Sequence, residues 1–370
     1  MNIKVNRKSL LDALRFGGMV AGKCKTIPIL DTCKVAVKGE KMVVTSTDNE
    51  ITIAKKNSVL SCDVEHAEFC VVPSDLTSLL SVIRDEEVSL EIDDKVCILT
   101  HSRGTAKVSV LPASDFPTNA PSDNKTSFTM DANKLKLWLD TAKSFVADDP
   151  LRPALTGMCL SVENGEIWGA ASNAHKLFID SYVSGNFVGI DTKVIIPSKV
   201  FGYASTILDG CDKVTVQIED RNISFVVSDA KINARIVDGS YPKVRTIIPS
   251  QSPIVVEVNT ADFSDSISRI KLFADKATMS VKMEFSEDGV KLSSFDLMTN
   301  KSCEDFCEVL ASDGGNITIC SKVENLEAVI SKIKTDTFAI CMTDSKRAMV
   351  FYEADNKNKV FLVMPIAPIK

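Results

Sequence analysis

The residues of this chain that could do chemistry are a glycine–lysine run, three histidines, 11 cysteines and scattered carboxylates. Gly17 to Lys23 reads G-x-x-x-x-G-K, one residue short of the loop whose backbone amides cradle a phosphate. That loop needs a strand before it, a helix after it, and a Ser or Thr next to it to hold magnesium. Here a helical pattern precedes the run, Ile27 to Leu30 follow it, and Cys24 stands where the hydroxyl should be. The run reads as a glycine-rich helix exit; a nucleotide-dependent enzyme built on it is the rival reading. His66, His101 and His175 are too dispersed to suggest a metal cluster, and no G-x-S-x-G, H-E-x-x-H or paired-carboxylate spacing accompanies His175, Asp148 or Asp149. The cysteines are odd in number and include no C-x-x-C pair; Cys303 and Cys307, the closest, have no histidine near them. They read as free thiols of a reducing cytoplasm. No catalytic residue, metal or cofactor is expected.

The elements that would position a site repeat along the chain. VVPSDLTSLLSVI begins at Val71, IIPSKVFGYASTIL at Ile195 and TICSKVENLEAVISKI at Thr318. Each reads as a short buried strand, a serine (Ser74, Ser198, Ser321) and an amphipathic helix, at intervals of about 124 residues. Each copy also opens with a strand and a helix. The apolar stripes are Leu10, Leu11 and Leu14; then Leu135, Trp138, Leu139 and Ala142, with Asp131 as N-cap; then Phe263, Ile267 and Ile270. Between the helices lie alternating strand patterns joined by turns at Gly39, Asn164-Gly165 and Asp288-Gly289. The prediction is an α+β protein of three repeated domains, 1–121, 122–250 and 251–370, each with two helices against an antiparallel sheet.

Bulk numbers are compatible with this. A 370-residue chain that is 45% hydrophobic has ample core for several domains. It lacks an apolar run of about 18 residues and a secretory leader, so the expectation is a cytoplasmic protein without a membrane partner. A net charge of −6 argues against indiscriminate nucleic-acid binding, yet leaves room for a basic stripe on one face.

Local strings then suggest a family. TIPILD (Thr26 to Asp31), TSTDNEITI (Thr45 to Ile53), LPASDFP (Leu111 to Pro117), LTGMCLSVENGEIWGAASNAHKLFI (Leu155 to Ile179), VDGSYPKVRTIIP (Val237 to Pro249) and FLVMPI (Phe361 to Ile366) occur in family order. Over its whole length the chain resembles the bacterial sliding clamp, the beta subunit of DNA polymerase III. The resemblance implies a ring of two protomers joined head to tail, helices around a central hole and sheets outside. Double-stranded DNA would pass through the hole without being read in sequence. The replicative polymerase alpha subunit, the clamp loader and other proteins with a clamp-binding motif would dock on the ring.

The same resemblance implies particular residues. A hydrophobic peptide pocket carries over onto Leu155, Ser172, Ala174, His175, Lys176, Leu177, Pro242, Ile247, Leu362, Val363, Met364, Pro365 and Ile366. The homodimer interface falls near Lys107 and Val108 on one edge and Leu272 and Phe273 on the other. Independently of the resemblance, the repeated helices carry basic residues fit to hold a duplex, with Arg7, Arg15, Lys136, Lys199 and Lys332 as candidates, and Lys23 and Lys25 flank Cys24, which stands at a basic position of the family. The chain departs from the family at Ala174, where glycine is usual, at Lys176, and at Ala367 near the end. A scaffold that binds proteins but encircles nothing is a third reading.

Overall fold

The computed structural model describes residues 1–23, 27–117, 125–249, 251–296 and 298–367. Six α-helices occur among them: α1 (Arg7–Gly18), α2 (Pro73–Val82), α3 (Ala132–Ala142), α4 (Phe201–Leu208), α5 (Thr260–Lys271) and α6 (Val323–Ile330). The odd-numbered helices start alike. The strands Asn2–Asn6, Thr126–Asp131 and Ile254–Asn259 each end on a residue whose side chain caps the next helix. Asn6 Oδ1 accepts from Ser9 N at 3.2 Å, Asp131 Oδ1 from Lys134 N at 2.7 Å, and Asn259 Oδ1 from Ala261 N at 2.9 Å. Each satisfies an amide that the first helical turn leaves orphaned.

The even-numbered helices diverge more than their sequences do. Ser74 lies inside α2, because Pro73 fits the first helical position and starts the helix early. Ser198 sits in a 3-10 turn (Ser198–Val200) ahead of α4, while Ser321 stays in the strand Ile317–Lys322, opposite Val281. The predicted turns also differ among themselves. Asn164 and Gly165 have φ of 52° and 76°, as a two-residue hairpin turn requires. Gly289 is not a turn residue: it opens the strand Gly289–Asp296, and the loop before it closes with Ser286 N donating to Gly289 O at 3.0 Å. Glycine is needed there because a Cβ would collide with the Phe306 ring.

The strands pair antiparallel in two sheets, and the sheets do not follow the repeats. One compact unit comprises Met1–Lys136 with Lys199–Ile236, the other Leu137–Ser198 with Val237–Lys370. In the first, a 13-stranded sheet continues from the middle repeat into the first repeat where Ala230–Arg235 pairs with Ile51–Ser58, Ile232 opposite Ile53. In the second, a 12-stranded sheet continues from the middle repeat into the third where Lys176–Val183 pairs with Asn356–Val363, Leu177 opposite Leu362. The strands of the middle repeat are thus divided between two sheets. In the second unit the fully buried Trp138 of α3 lies against Gly169, whose missing side chain makes the room, and its indole N–H donates to Asp180 Oδ2 at 2.8 Å.

Among the described residues no helix is long and apolar enough to cross a membrane, and no group of three or more His, Cys, Asp or Glu could hold a metal ion. The described cysteines are free, and burial pushes the Cys33 and Cys159 thiols up to about 12. The Gly17–Lys23 run is the exit of α1. The amides of Met19, Val20, Ala21, Gly22 and Lys23 donate to Phe16, Gly17, Gly17, Leu30 and Val20 carbonyls, so none is turned outward to cradle a phosphate.

Candidate functional site

The cleft expected from the sequence is assembled within the second unit around one cross-strand pair. Leu177 and Leu362 face each other and, with Leu155, Ile179 and Val360, belong to one buried cluster floored by Tyr241 and Val244. Met364, half-buried, packs on this cluster, and its amide donates to His175 O at 2.8 Å, which prolongs the ladder one step beyond the strand. Ile366 N then donates to Cys320 O at 2.8 Å, so the segment Met364–Ile366 is tied at both ends. From the linker side, the 3-10 turn Val244–Ile247 buries Val244 and leaves Ile247 52% exposed. His175, Pro242 and Ile247 are exposed, and Met364, Pro365 and Ile366 partly so.

The strand alternation divides the expected pocket residues. Leu177 and Leu362 are 1% exposed, Leu155 7% and Ser172 6%, so these support the cleft as core and offer little surface of their own. Lys176 and Val363, opposite each other one step along, point to the other face of the sheet. There the Lys176 ammonium stands 5.7 Å from the Phe145 ring, within a cluster of Phe145, Phe178 and Phe361. Burial lowers its pKa, with Glu324 pulling the other way. The expectation that Lys176 and Val363 line the cleft is therefore corrected: a period of two sends them to the helix side.

The turn joining Glu166–Ser172 to Lys176–Val183 is held by its own side chains. Ser172 Oγ donates to Lys176 O at 2.8 Å and accepts from Ala174 N at 3.1 Å, while Asn173 Oδ1 accepts from His175 N and Lys176 N, both at 3.0 Å. This closure drives Ala174 to φ 74°, a conformation in which a Cβ costs about 1 kcal/mol. Ala174→Gly should raise stability by about 0.5–1 kcal/mol, read as a higher denaturation midpoint; a lower midpoint would refute the strain.

Residues that sequence reasoning missed lie beside Ile247. Arg245 donates from Nη1 and Nη2 to the two Glu166 oxygens at 2.9 and 2.7 Å and stands 5.1 Å from the Trp168 ring. Those hydrogen bonds hold the Glu166 carboxyl below the usual glutamate range. The pair pins the turn that presents Ile247, and Ile247 in turn lines a second cleft of about 940 Å³ reaching Thr343 and Arg347. Arg245 was within reach, since it lies inside the VDGSYPKVRTIIP string. Thr343 and Arg347 follow a strand with no motif or periodicity to mark them.

The basic candidates are not equivalent. Arg15 is exposed on α1 beside Lys8 and Asp12 along one outward stripe, and Lys23 is exposed after the helix exit. Lys136 pairs with Asp209, and Lys199, in the turn before α4, with Glu50 at 2.7 Å. Exposed pairs of this kind are weak and can be exchanged for a phosphate. Arg7 is reassigned: Nε and Nη1 donate to Asp85 O at 2.9 Å and Leu80 O at 2.8 Å, so its guanidinium closes the end of α2. Lys332 is half-buried and donates to Asp140 O at 3.2 Å, which ties the segment after α6 to α3, and burial lowers its pKa. Lys25 lies outside the described residues.

Besides the terminal strands of the two sheets, two interior strands each leave a long stretch of one flank unpaired among the described residues. Gly104–Leu111 pairs with Val96–His101 throughout, but on its other side only Val110 and Leu111 are paired, with Val71 and Cys70. Lys107 and Val108 lie on the unpaired stretch. In the second unit, Lys301–Asp313 pairs along Lys301–Glu308 with Gly289–Asp296, and on its other flank only from Val309 onward with Ile254–Asn259. Near this edge α5 ends on Leu272, 79% exposed, and Phe273, 38% exposed. Phe306 and Leu310, on the open strand, are also more than half exposed.

Comparison with known proteins gives a consistent result. Family models for the N-terminal, central and C-terminal domains of the DNA polymerase III beta subunit match residues 1–120, 129–243 and 245–367. The beta sliding clamps of Pseudomonas aeruginosa and Escherichia coli are each 23% identical over 369 residues, covering 99% of this chain and 100% of the relative. The crystal structure of the DNA polymerase III subunit beta from Pseudomonas aeruginosa superposes with a TM-score of 0.92 over 100% of both chains, at 23% identity.

Proposed function

The chain belongs to the family of the DNA polymerase III beta subunit, the beta sliding clamps, and from that premise we propose how its surfaces serve that role. A beta sliding clamp is a processivity factor, a non-catalytic subunit of the polymerase, and the three-domain clamp fold is present along the whole chain. Domains 1–121, 122–250 and 251–370 form one half of a ring, and two protomers close head to tail. The open edge at Lys107 and Val108 receives the open edge at Lys301–Glu308 of a second copy, with Leu272 and Phe273 as apolar anchors. A heterologous contact made twice closes a two-protomer ring. These two unpaired strand flanks are the observation that carries the reading, since exposed unpaired backbone is a liability unless something covers it.

Duplex DNA passes through the ring, held electrostatically by Arg15, Lys23 and Lys199, with Lys136 beside them. The contact can be weak and mobile because escape requires the ring to open. The polymerase alpha subunit, the clamp loader and other motif-bearing proteins place a short apolar peptide on Met364, Ile247, Pro242 and His175, over the Leu155, Leu177 and Leu362 core. The cell compartment is the cytoplasm, where replication takes place.

Topology provides the test. A clamp loaded on circular DNA is expected to persist, and cutting the circle to release it from the ends. Substituting Arg15, Lys23 and Lys199 together should weaken loading and flatten its salt dependence by about 0.9 in log–log slope for each phosphate no longer neutralised. Equal retention on circular and linear DNA would favour a scaffold that encircles nothing.

A further inference from the structure

We propose that the 940 Å³ cleft beside Ile247 binds an acidic flank of the partner's peptide, adjoining the site for its hydrophobic anchors. This rests on the peptide-docking reading above and adds a chemical class to it. Position is the first argument. The cleft is walled by Ile247, Ile248, Pro249 and Pro253, with Arg245, Arg347 and Thr343 among its polar residues, and Ile247 is also the exposed apolar group of the anchor site. A chain leaving the anchor site past Ile247 enters this cleft directly.

Charge is the second. Among the described residues, no carboxylate lines the cleft. The charged residues that line it are both arginines, Arg245 and Arg347, and their carboxylate partners, Glu166 and Asp344, are not among the lining residues. The third argument is donor capacity. A guanidinium has five N–H donors. Arg245 uses Nη1 and Nη2 toward Glu166 and is steadied on Trp168, so its orientation is set while other N–H groups remain available. Arg347 makes a longer contact, Nε to Asp344 Oδ2 at 3.3 Å, with its side chain 67% exposed, and can turn its fork to a carboxylate. A neutral or basic flank would gain nothing from this arrangement; an aspartate or glutamate would.

Calorimetry on the full-length protein tests the idea with five probes. One is a short peptide carrying only leucine and phenylalanine anchors; the others extend it, at either end in turn, by two aspartates or by two asparagines. The aspartate extension at one end should bind about five- to tenfold more tightly than the asparagine one at low salt, with the advantage shrinking as salt rises. Arg347→Ser, at an exposed position, should bring that advantage below about twofold while the affinity for the unextended peptide is unchanged. Equal affinity for both extensions at both ends would overturn the proposal, as would an aspartate advantage undiminished in Arg347→Ser and in Arg245→Gln. If the unextended peptide fails to bind at all, the anchor site itself is wrong and the flank falls with it.

Discussion

A chain carrying Leu272→Ala together with Phe273→Ala is expected to sediment as a monomer at concentrations where the unaltered chain is a dimer. Leu272, at the end of α5, is 79% exposed, so its truncation removes little from the fold, while Phe273, at 38%, gives up part of its packing. At an interface the same residues would be buried anchors, each worth on the order of 1–2 kcal/mol when truncated. Two head-to-tail contacts close the ring, so the effect of each truncation is doubled. The dissociation constant should rise by at least about a thousandfold. Circular dichroism should be unchanged, which separates failure to associate from failure to fold. A double variant still dimeric at nanomolar protein would place the interface elsewhere.

Binding of a hydrophobic partner peptide should be strongly weakened in Met364→Ala combined with Ile247→Ala. The residues must be chosen by exposure. Leu177 reads as a removable anchor in the sequence, but at 1% exposure it is core, and Leu177→Ala would open a cavity costing about 2–5 kcal/mol. Such a variant would cease to bind because its structure fails. Met364 is half-buried on the cluster's surface and Ile247 is 52% exposed, so both can be shortened with the floor intact. Truncating the two together should weaken the peptide by about a hundredfold in calorimetry, with the ring still dimeric. Undiminished affinity would refute the site.

Much of this architecture is legible in the sequence because it is local. A cap is a side chain two or three residues from the amide it satisfies, so Asp131 can be read as one, and Asn6 and Asn259 carry the same signal. Asn164-Gly165 needs only its own two positive φ angles to make a hairpin. Asp288-Gly289 reads the same and is not. Its glycine answers to Phe306 on a neighbouring strand, a contact no dipeptide encodes. The site divides in the same way. The strings around Leu155–Ile179, Val237–Pro249 and Phe361–Ile366 name the segments that meet, while the geometry decides which side chains in them share a face.

The sequence by itself determined a threefold helix–strand repeat, free cysteines without ligand spacing, basic residues on and near the repeated helices, and a glycine–lysine run that is a helix exit. Periodicity and spacing suffice for these because each depends on neighbours within a few turns of chain. Only the tertiary structure decided that the middle repeat divides its strands between two sheets, joining Ile53 to Ile232 and Leu177 to Leu362. It alone turned Lys176 and Val363 from the cleft, spent Arg7 on the end of α2 and Lys332 on α3, and left two strand edges unpaired. The physical reason is that strand pairing is a long-range choice of partner and register: a one-residue shift would reverse every side chain, and nothing within one strand says which edge it will find.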